Sequence, residues 1–414
     1  MIESRGMSAV TELDLPTLDY VDPEWRGETF HARLEELRER GWLARAEPVG
    51  FFVLDRESAS FFLRTPDATF PGTTMLEVQG VSSGPLYERL KGNLLDLDGD
   101  EHRRLRRLVQ PAFTPPAADR HRSKMRAVLA ELLEPVLAGD GRCELVAAVA
   151  RPYPARMIAA IMGAPASDAE RLGRWANLIQ GQFDPVRVAS ELEVLERAAR
   201  EFQDYAAELL ARRREDPGED LISELIAAEA EGDRLSESEC VDLISAVLVG
   251  GVDTTQAQLA HAVALFARHP EQWALLRERP ELAASAVEEV LRLEPITPFT
   301  ARLTRTEVEH RDVRFPANTL LFCCAASANR DPNAYERPAE FAIAAERGRE
   351  KVLTFGAGPH FCLGANLARA ELQEALLYLA ERVERVELDG EPKLESPLGI
   401  YGIASLPVRL VAAP

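Results

Sequence analysis

Cysteine is scarce in this chain of 414 residues, and its five copies, Cys143, Cys240, Cys323, Cys324 and Cys362, are odd in number, include an adjacent pair and show no C-x-x-C spacing. That argues against a disulfide framework and a cysteine zinc site, and reduced thiols in a cytoplasm are expected. Positive charge is short as well: 48 lysines and arginines face 68 aspartates and glutamates, a formal net charge of -20. Nucleic acid and anionic membrane carry the same sign, so the expected partner is a small molecule or a locally docked protein. The most apolar run, residues 243–252, ends at Asp253. Crossing a bilayer takes about 20 apolar residues, so no membrane anchor is expected. Residues 1–20 carry acids and no apolar core of signal-peptide length, which leaves nothing to mark export; Met1 and Met7 both qualify as the start. Tandem repeats and low-complexity linkers are missing, and no G-x-G-x-x-G follows a strand, so neither a solenoid nor a flavin or nicotinamide site is expected.

What is present is a 46% hydrophobic chain, enough for a substantial core, that reads as one continuous domain. A helix is predicted over residues 28–40, then a small hairpin from 42–46 and 50–54 with Pro48 between. Residues 65–99, rich in Gly, Pro and Ser, read as a long loop of the kind that covers a pocket, and 212–220 as a charged surface loop. Residues 236–268 read as one helix roughly 50 Å long, with Ser236 and Glu239 as a capping box and His269-Pro270 as the stop. Its middle is apolar on nearly every side, which calls for burial all round. Further helices are predicted over 281–293 and immediately after Cys362, and strand-like pieces at 313–315 and 319–322. The expected class is mainly α with small β-sheets.

Chemistry concentrates in Phe355-Gly356-Ala357-Gly358-Pro359-His360-Phe361-Cys362-Leu363-Gly364. Glycines around a cysteine permit close backbone approach to a flat ligand, and the helix that follows brings amide groups and a positive dipole end near the sulfur, which favours thiolate. A lone cysteine is ordinarily a structural residue in a tight turn; the glycines and His360 favour a ligand. The segment resembles the signature of the cytochrome P450 superfamily, in which the cysteine is the axial thiolate of haem b, and the resemblance extends from about Leu94 to Arg409, closest to the soluble bacterial type. It implies a single-domain P450 fold with the long central helix over the haem, a haem-thiolate monooxygenase domain at 28–414 and an N-terminal extension at 1–27.

The same resemblance assigns roles elsewhere. Gly250-Gly251-Val252-Asp253-Thr254-Thr255 looks like the oxygen-binding segment, with Gly where many members have Ala. Two mid-helix glycines cost about 1 kcal/mol each relative to Ala, and close approach of cofactor and oxygen at Gly251 would compensate; the plain alternative is tight helix packing. Asp253 and Thr254 are the expected proton-delivering pair. His102 and Arg106, four apart in a basic run from Asp100 to Arg107, share a helix face and are expected to bind a haem propionate, with Arg302 and His360 as further propionate ligands and Phe355 against the cofactor. Glu289 and Arg292 form an i, i+3 pair that the resemblance makes a buried structural unit. Ala345 stands where an arginine is common, so Arg347 can serve there only with a shifted loop. Asp98-Gly99-Asp100 replaces a proline-containing approach to the His102 helix and leaves that loop more flexible.

The implied reaction inserts one atom of dioxygen into an organic molecule, by hydroxylation or epoxidation, with electrons from a separate ferredoxin and ferredoxin reductase. Exposed Arg103, Arg107 and Lys351 are the expected docking charges. Val249, Val252, Phe183, Ile296, Phe299, Ile400 and Tyr401 are the candidate pocket walls; being mostly apolar, they suit a terpenoid, steroid, fatty acid or polyketide, although each also reads as ordinary core. A cytoplasmic monomer is expected. Rival readings are a peroxygenase or dehydratase on the same haem, a non-catalytic haem sensor, and a hydrolase with Cys362 and His360, which lacks an orienting third group.

Overall fold

The structure is a computed structural model that describes residues 7–19, 22, 24–47, 49–230, 235–348 and 351–413, without the side chains of 228–230. Met1 and Pro48, both used in the sequence reading, lie outside the described residues. Helix α1, Gly27–Arg40, follows its predicted pattern: Phe30, Leu34 and Leu37 recur at helical spacing and are its buried residues. Glu28 in its first turn and Arg38 and Arg40 in its last each suit the end of the helix dipole they occupy.

The largest sheet comprises β1 Thr17–Asp19, β2 Leu43–Glu47, β3 Gly50–Val53, β4 Ala68–Thr69, β5 Phe299–Thr304 and β6 Leu320–Cys324, in the order β1-β2-β3-β6-β5-β4. The predicted hairpin is β2–β3, with Leu43 opposite Val53 and Ala44 opposite Phe52. Strand β6 runs parallel to β3 and antiparallel to β5. Ser8–Ala9 pairs with Val313–Phe315, and β1 pairs with β2. The stretch expected as an extension is therefore woven into two sheets from Ser8 onward, because Val10 and Leu18 have core to bury against.

Residues 65–99 are not one long loop. They contain a short turn of helix, Thr74–Glu77, and α2, Pro85–Lys91, which starts where Gly84 (φ 103°) lets the chain turn and Pro85 takes the first helical position. Next come α3 Gly99–Val109, α4 Pro152–Met162 and α5 Pro185–Glu215. Helix α5 continues through Arg212, Arg213 and Arg214, so the expected loop begins only after it.

Helix α6, Glu237–Arg268, is the predicted long helix. Its capping box is made: Glu239 N donates to Ser236 Oγ at 3.2 Å and Ser236 N to Glu239 Oε2 at 2.7 Å. Helix α7, Ala283–Leu293, follows a 3-10 turn at Pro280–Leu282 that takes up the first two residues of the helix expected from 281. Helix α8, Ala365–Arg382, begins after the cysteine loop. Helices α4, α5, α7 and α8 all pack on α6, which explains its all-round burial. Among the described residues, no helix is long and apolar enough to cross a membrane.

Candidate functional site

A cavity of about 380 Å³ lies between α6 and residues 355–364. The cysteine loop reaches it through two left-handed glycines, Gly356 (φ 68°) and Gly358 (φ 73°). At Gly358 a Cβ would sit 2.6 Å from the Leu63 carbonyl oxygen, so a side chain has no room. Cys362 N donates to Phe355 O at 2.9 Å and closes the loop, and the Arg369 guanidinium covers the Phe355 ring at 4.6 Å. Cys362 is accessible, but from the cavity rather than from bulk solvent. Burial pushes its thiol above the ordinary range; the amides of Gly364 and Ala365 and the charges of Arg106 and Arg369 pull it down without prevailing. The loop amides favour thiolate as expected, but desolvation outweighs them.

The basic residues supply the fit test for a haem. Among the described residues no aspartate or glutamate lines the cavity, yet Arg89, His102, Arg106, Arg302 and His360 all do. His102 is 3% exposed and its Nε2 has no hydrogen-bond partner. Burial, then the neighbouring His360 and Arg106, drive its pKa down to about 4. The His102 and His360 rings lie 4.4 Å apart. Arg302 is buried and donates to the carbonyl of Ala301 at 2.9 Å, and burial lowers its pKa. Arg106 donates to Phe361 O, beside the cysteine. His360 lines the cavity, and its Nε2 meets Asp98 Oδ1 at 2.9 Å. Burial pushes Asp98 up, but the bonds from His360 and Thr69 and the charge of Arg305 hold it below the usual carboxylate range. The Asp98-Gly99-Asp100 approach is thus tied down by His360. Arg106 and Arg302, charged and with no carboxylate beside them among the described residues of the cavity wall, together with a neutral His102 whose Nε2 is unpartnered, suit the two propionates of haem.

Opposite the cysteine, Gly250 faces open space, whereas a Cβ on Gly251 would lie 2.5 Å from Ile158 Cδ1 of α4. Both line the cavity; the tight approach at Gly251 is to a neighbouring helix, whereas the open space is at Gly250. Thr254 lines the cavity, its Oγ1 donating to Gly250 O at 2.6 Å. Asp253 stands off the lining, on the flank of α6 influenced by Glu395, Arg187 and Arg151. Burial raises its pKa to about 7, Glu395 adds to the rise, and the two arginines oppose it.

Val249, Phe183, Ile296, Phe299 and Ile400 line the cavity; Val252 and Tyr401 do not. At about 100° per residue Val252 falls far round the helix from Gly250, and it is fully buried core. Tyr401 points away from its neighbour Ile400 into a second cavity near α1, where its Oη accepts from Gly27 N at 2.6 Å. Away from both cavities, Arg292 Nε and Nη2 meet Glu289 Oε2 and Oε1 at 2.8 and 2.9 Å, with both side chains buried. Arg347 completes the unit, its Nη2 2.5 Å and Nε 3.2 Å from the same carboxylate, so the loop does shift to bring it where Ala345 stands in register.

Sequence reading missed two buried polar groups. Arg89 was legible in principle, because Leu86, Arg89 and Leu90 share one face of α2. Glu371 of α8 is 1% exposed, and burial raises it to about 8 against the opposing influence of the Thr255 hydroxyl; its spacing of four from Leu367 placed it on a core face.

The fold and this acid-free, cysteine-floored cavity define a haem-thiolate enzyme. The cytochrome P450 family model matches residues 182–400. Luteothin monooxygenase of Streptomyces thioluteus is 35% identical over 404 residues, 97% of each chain. Mycinamicin IV hydroxylase/epoxidase of Micromonospora griseorubida is 38% identical over 303 residues, covering 73% of this chain and 75% of that one. Among solved structures, CalO2 superposes with a TM-score of 0.88 at 31% identity, covering 96% of this chain and 99% of that one. The chain belongs to the cytochrome P450 family: it is a monooxygenase, and its cofactor is haem b.

Proposed function

We propose that the enzyme oxygenates a lipophilic small molecule by hydroxylation or epoxidation, with Cys362 as the residue whose thiolate would hold the haem iron and with electrons from a separate ferredoxin and its reductase. The observation that carries this is Cys362 opening on a cavity that His102, Arg106 and Arg302 line with no carboxylate among the described lining residues, and that Gly250 and Thr254 face. Haem, when bound, supplies activation of dioxygen with electron push from a thiolate. Arg106 and Arg302 would neutralise its propionates, His102, neutral near pH 7, would offer them a hydrogen bond, and His360, anchored by Asp98, would steady that cluster. Phe355 lines the cavity with Arg369 over its ring and limits water beside the cysteine loop. Thr254 holds a hydroxyl in the cavity while Asp253, on its other flank, passes protons inward from the Arg187 and Glu395 side. Val249, Phe183, Ile296, Phe299 and Ile400 form an apolar wall for the substrate. The relative named a hydroxylase/epoxidase supports those two outcomes. We further propose a monomer working in the cytoplasm.

The test is the carbon monoxide difference spectrum of the dithionite-reduced protein beside that of Cys362→Ala. A strongly red-shifted Soret band that the substitution abolishes is the expected result. An unshifted band indifferent to Cys362 overturns the ligand assignment, and turnover that runs on peroxide but not on electron donors overturns the monooxygenase route.

A further inference from the structure

Among the described residues, Arg89 is the one cation of the cavity that the haem cluster does not use. It lies on α2, 1% exposed, between Leu86 and Leu90. Its Nη2 donates to Gln182 Oε1, and its Nε and Nη1 are buried with no hydrogen-bond partner. The acid that acts on it, Asp242, makes no ion pair with it among the described residues; Asp242 Oδ2 is held against Gly92, 2.5 Å from where a Cβ there would be. Burial lowers the guanidinium to about 10, so it stays charged at neutral pH. His102, Arg106 and Arg302 belong to a different neighbourhood, that of His360, Cys362 and Asp98.

A buried charge without a counter-ion is expensive and ordinarily finds a partner. The remaining polar groups in this corner are amides, Gln182, Gln180 and Asn93, which donate but bring no negative charge, and Gln180 Oε1 is itself unpartnered. Beyond them the cavity wall is apolar, with Leu94, Leu243 and Val247 among its residues.

We infer that Arg89 is a specificity-determining residue that receives a carboxylate on an otherwise apolar substrate. The inference rests on the haem-thiolate reading and names the class of molecule that site takes: an apolar body with one carboxylic acid at the Arg89 end. Once Nη2 has donated one N–H to Gln182, four of the five N–H groups of the planar guanidinium are left to receive the two oxygens of a carboxylate, and the amide corner accommodates its outer lone pairs. The reaction is unchanged by this, since the acid only anchors the molecule and the oxidised carbon lies elsewhere on its apolar body.

The experiment titrates the haem-loaded full chain with two acids, dodecanoic and 2-naphthoic, and with their methyl esters, reading the Soret shift. At least one acid should bind roughly tenfold or more tightly than its ester, the effect of charge-assisted hydrogen bonds in a dry site. Arg89→Met should abolish that preference and Arg89→Lys retain part of it, with the carbon monoxide spectrum unchanged in both. Ligand-free Arg89→Met should also melt no lower than the parent, because an unpaired buried charge has been removed. Equal binding of acid and ester, binding by neither acid, a preference surviving in Arg89→Met, or a fall in its melting temperature each overturns the inference. A missing red-shifted band in the parent protein overturns the haem-thiolate reading instead, so the two failures are separable.

Discussion

Burial and charge act together on Asp253. Removal from water raises its carboxyl to about 7, and Glu395 pushes the same way, so near neutral pH it is poised between holding and releasing a proton. A donor is needed in its protonated form, so the proton-limited rate should fall as pH rises through about 7. Asp253→Asn should lower turnover about 100-fold and flatten that limb, a loss typical of a missing acid–base group. Glu395→Gln removes one of the influences raising the pKa, and the limb should move to lower pH with its height kept. Stability gives an independent check of sign. The folded pKa exceeds the ordinary 3.8, so the group's favourable contribution is complete below that value and is lost as pH rises through about 7. Asp253→Asn should therefore gain in melting temperature relative to the parent at pH 8, and the gain should shrink toward pH 4. Melting curves at the two pH values and steady-state rates across the range decide it. A pH profile unchanged in both variants would remove Asp253 from proton delivery.

At the scale of elements, two neighbouring glycines in α6 do different things, and their alanine variants should part company. At Gly250 a Cβ meets open space, so Gly250→Ala should stabilise the helix by about 1 kcal/mol, the propensity difference, while narrowing the cavity. At Gly251 the same atom would stand 2.5 Å from Ile158 Cδ1, so Gly251→Ala should cost about 1–3 kcal/mol by overpacking. Adding Ile158→Val, which deletes that methyl, should recover much of the loss; denaturant unfolding of the three variants measures it. The sequence pattern announced the element and its two glycines but not which one met a neighbour, because that depends on the rotation of α6 against α4. Element type was legible wherever one face was apolar at helical spacing, as in α1, or where a cap and a stop were spelled out, as at Ser236 and Pro270. Short pieces were less so: α2 hid in a Gly- and Pro-rich stretch because its helix is short and buries only Leu86, Arg89 and Leu90. The cysteine loop was readable because its constraints are local, a left-handed turn at Gly356 and Gly358 just before Cys362. Arg347 replacing an arginine at Ala345 depended on a loop path, and the raised thiol of Cys362 on burial by distant segments, neither of which a motif encodes.

For the whole molecule, the net charge of -20 sets a problem for any acidic electron donor, which it repels at long range. A docking surface must then work at short range. Arg103 and Arg107 are exposed on α3, the helix that carries His102 and Arg106 to the cavity, and Lys351 is exposed just ahead of the cysteine loop. Arg103 shares its charge with Asp100, three residues earlier on the same helix, and Arg104 with Glu239 of α6. Salt separates the two ranges of force. The screening length shortens from about 30 Å at 0.01 M to about 8 Å at 0.15 M, so the first salt added relieves whole-molecule repulsion while leaving contact attraction, and further salt weakens the contact. Reduction by an acidic ferredoxin should therefore pass through a maximum as ionic strength increases. In the double variant Arg103→Glu, Arg107→Glu the attraction is gone and repulsion is greater, so the rate should start roughly tenfold lower and only rise with salt. Stopped-flow reduction of the carbon monoxide-trapped enzyme reads both curves. If they have the same shape, the arginines of α3 do not receive the donor, and the docking face has to be sought where the partner meets less of the surrounding negative field.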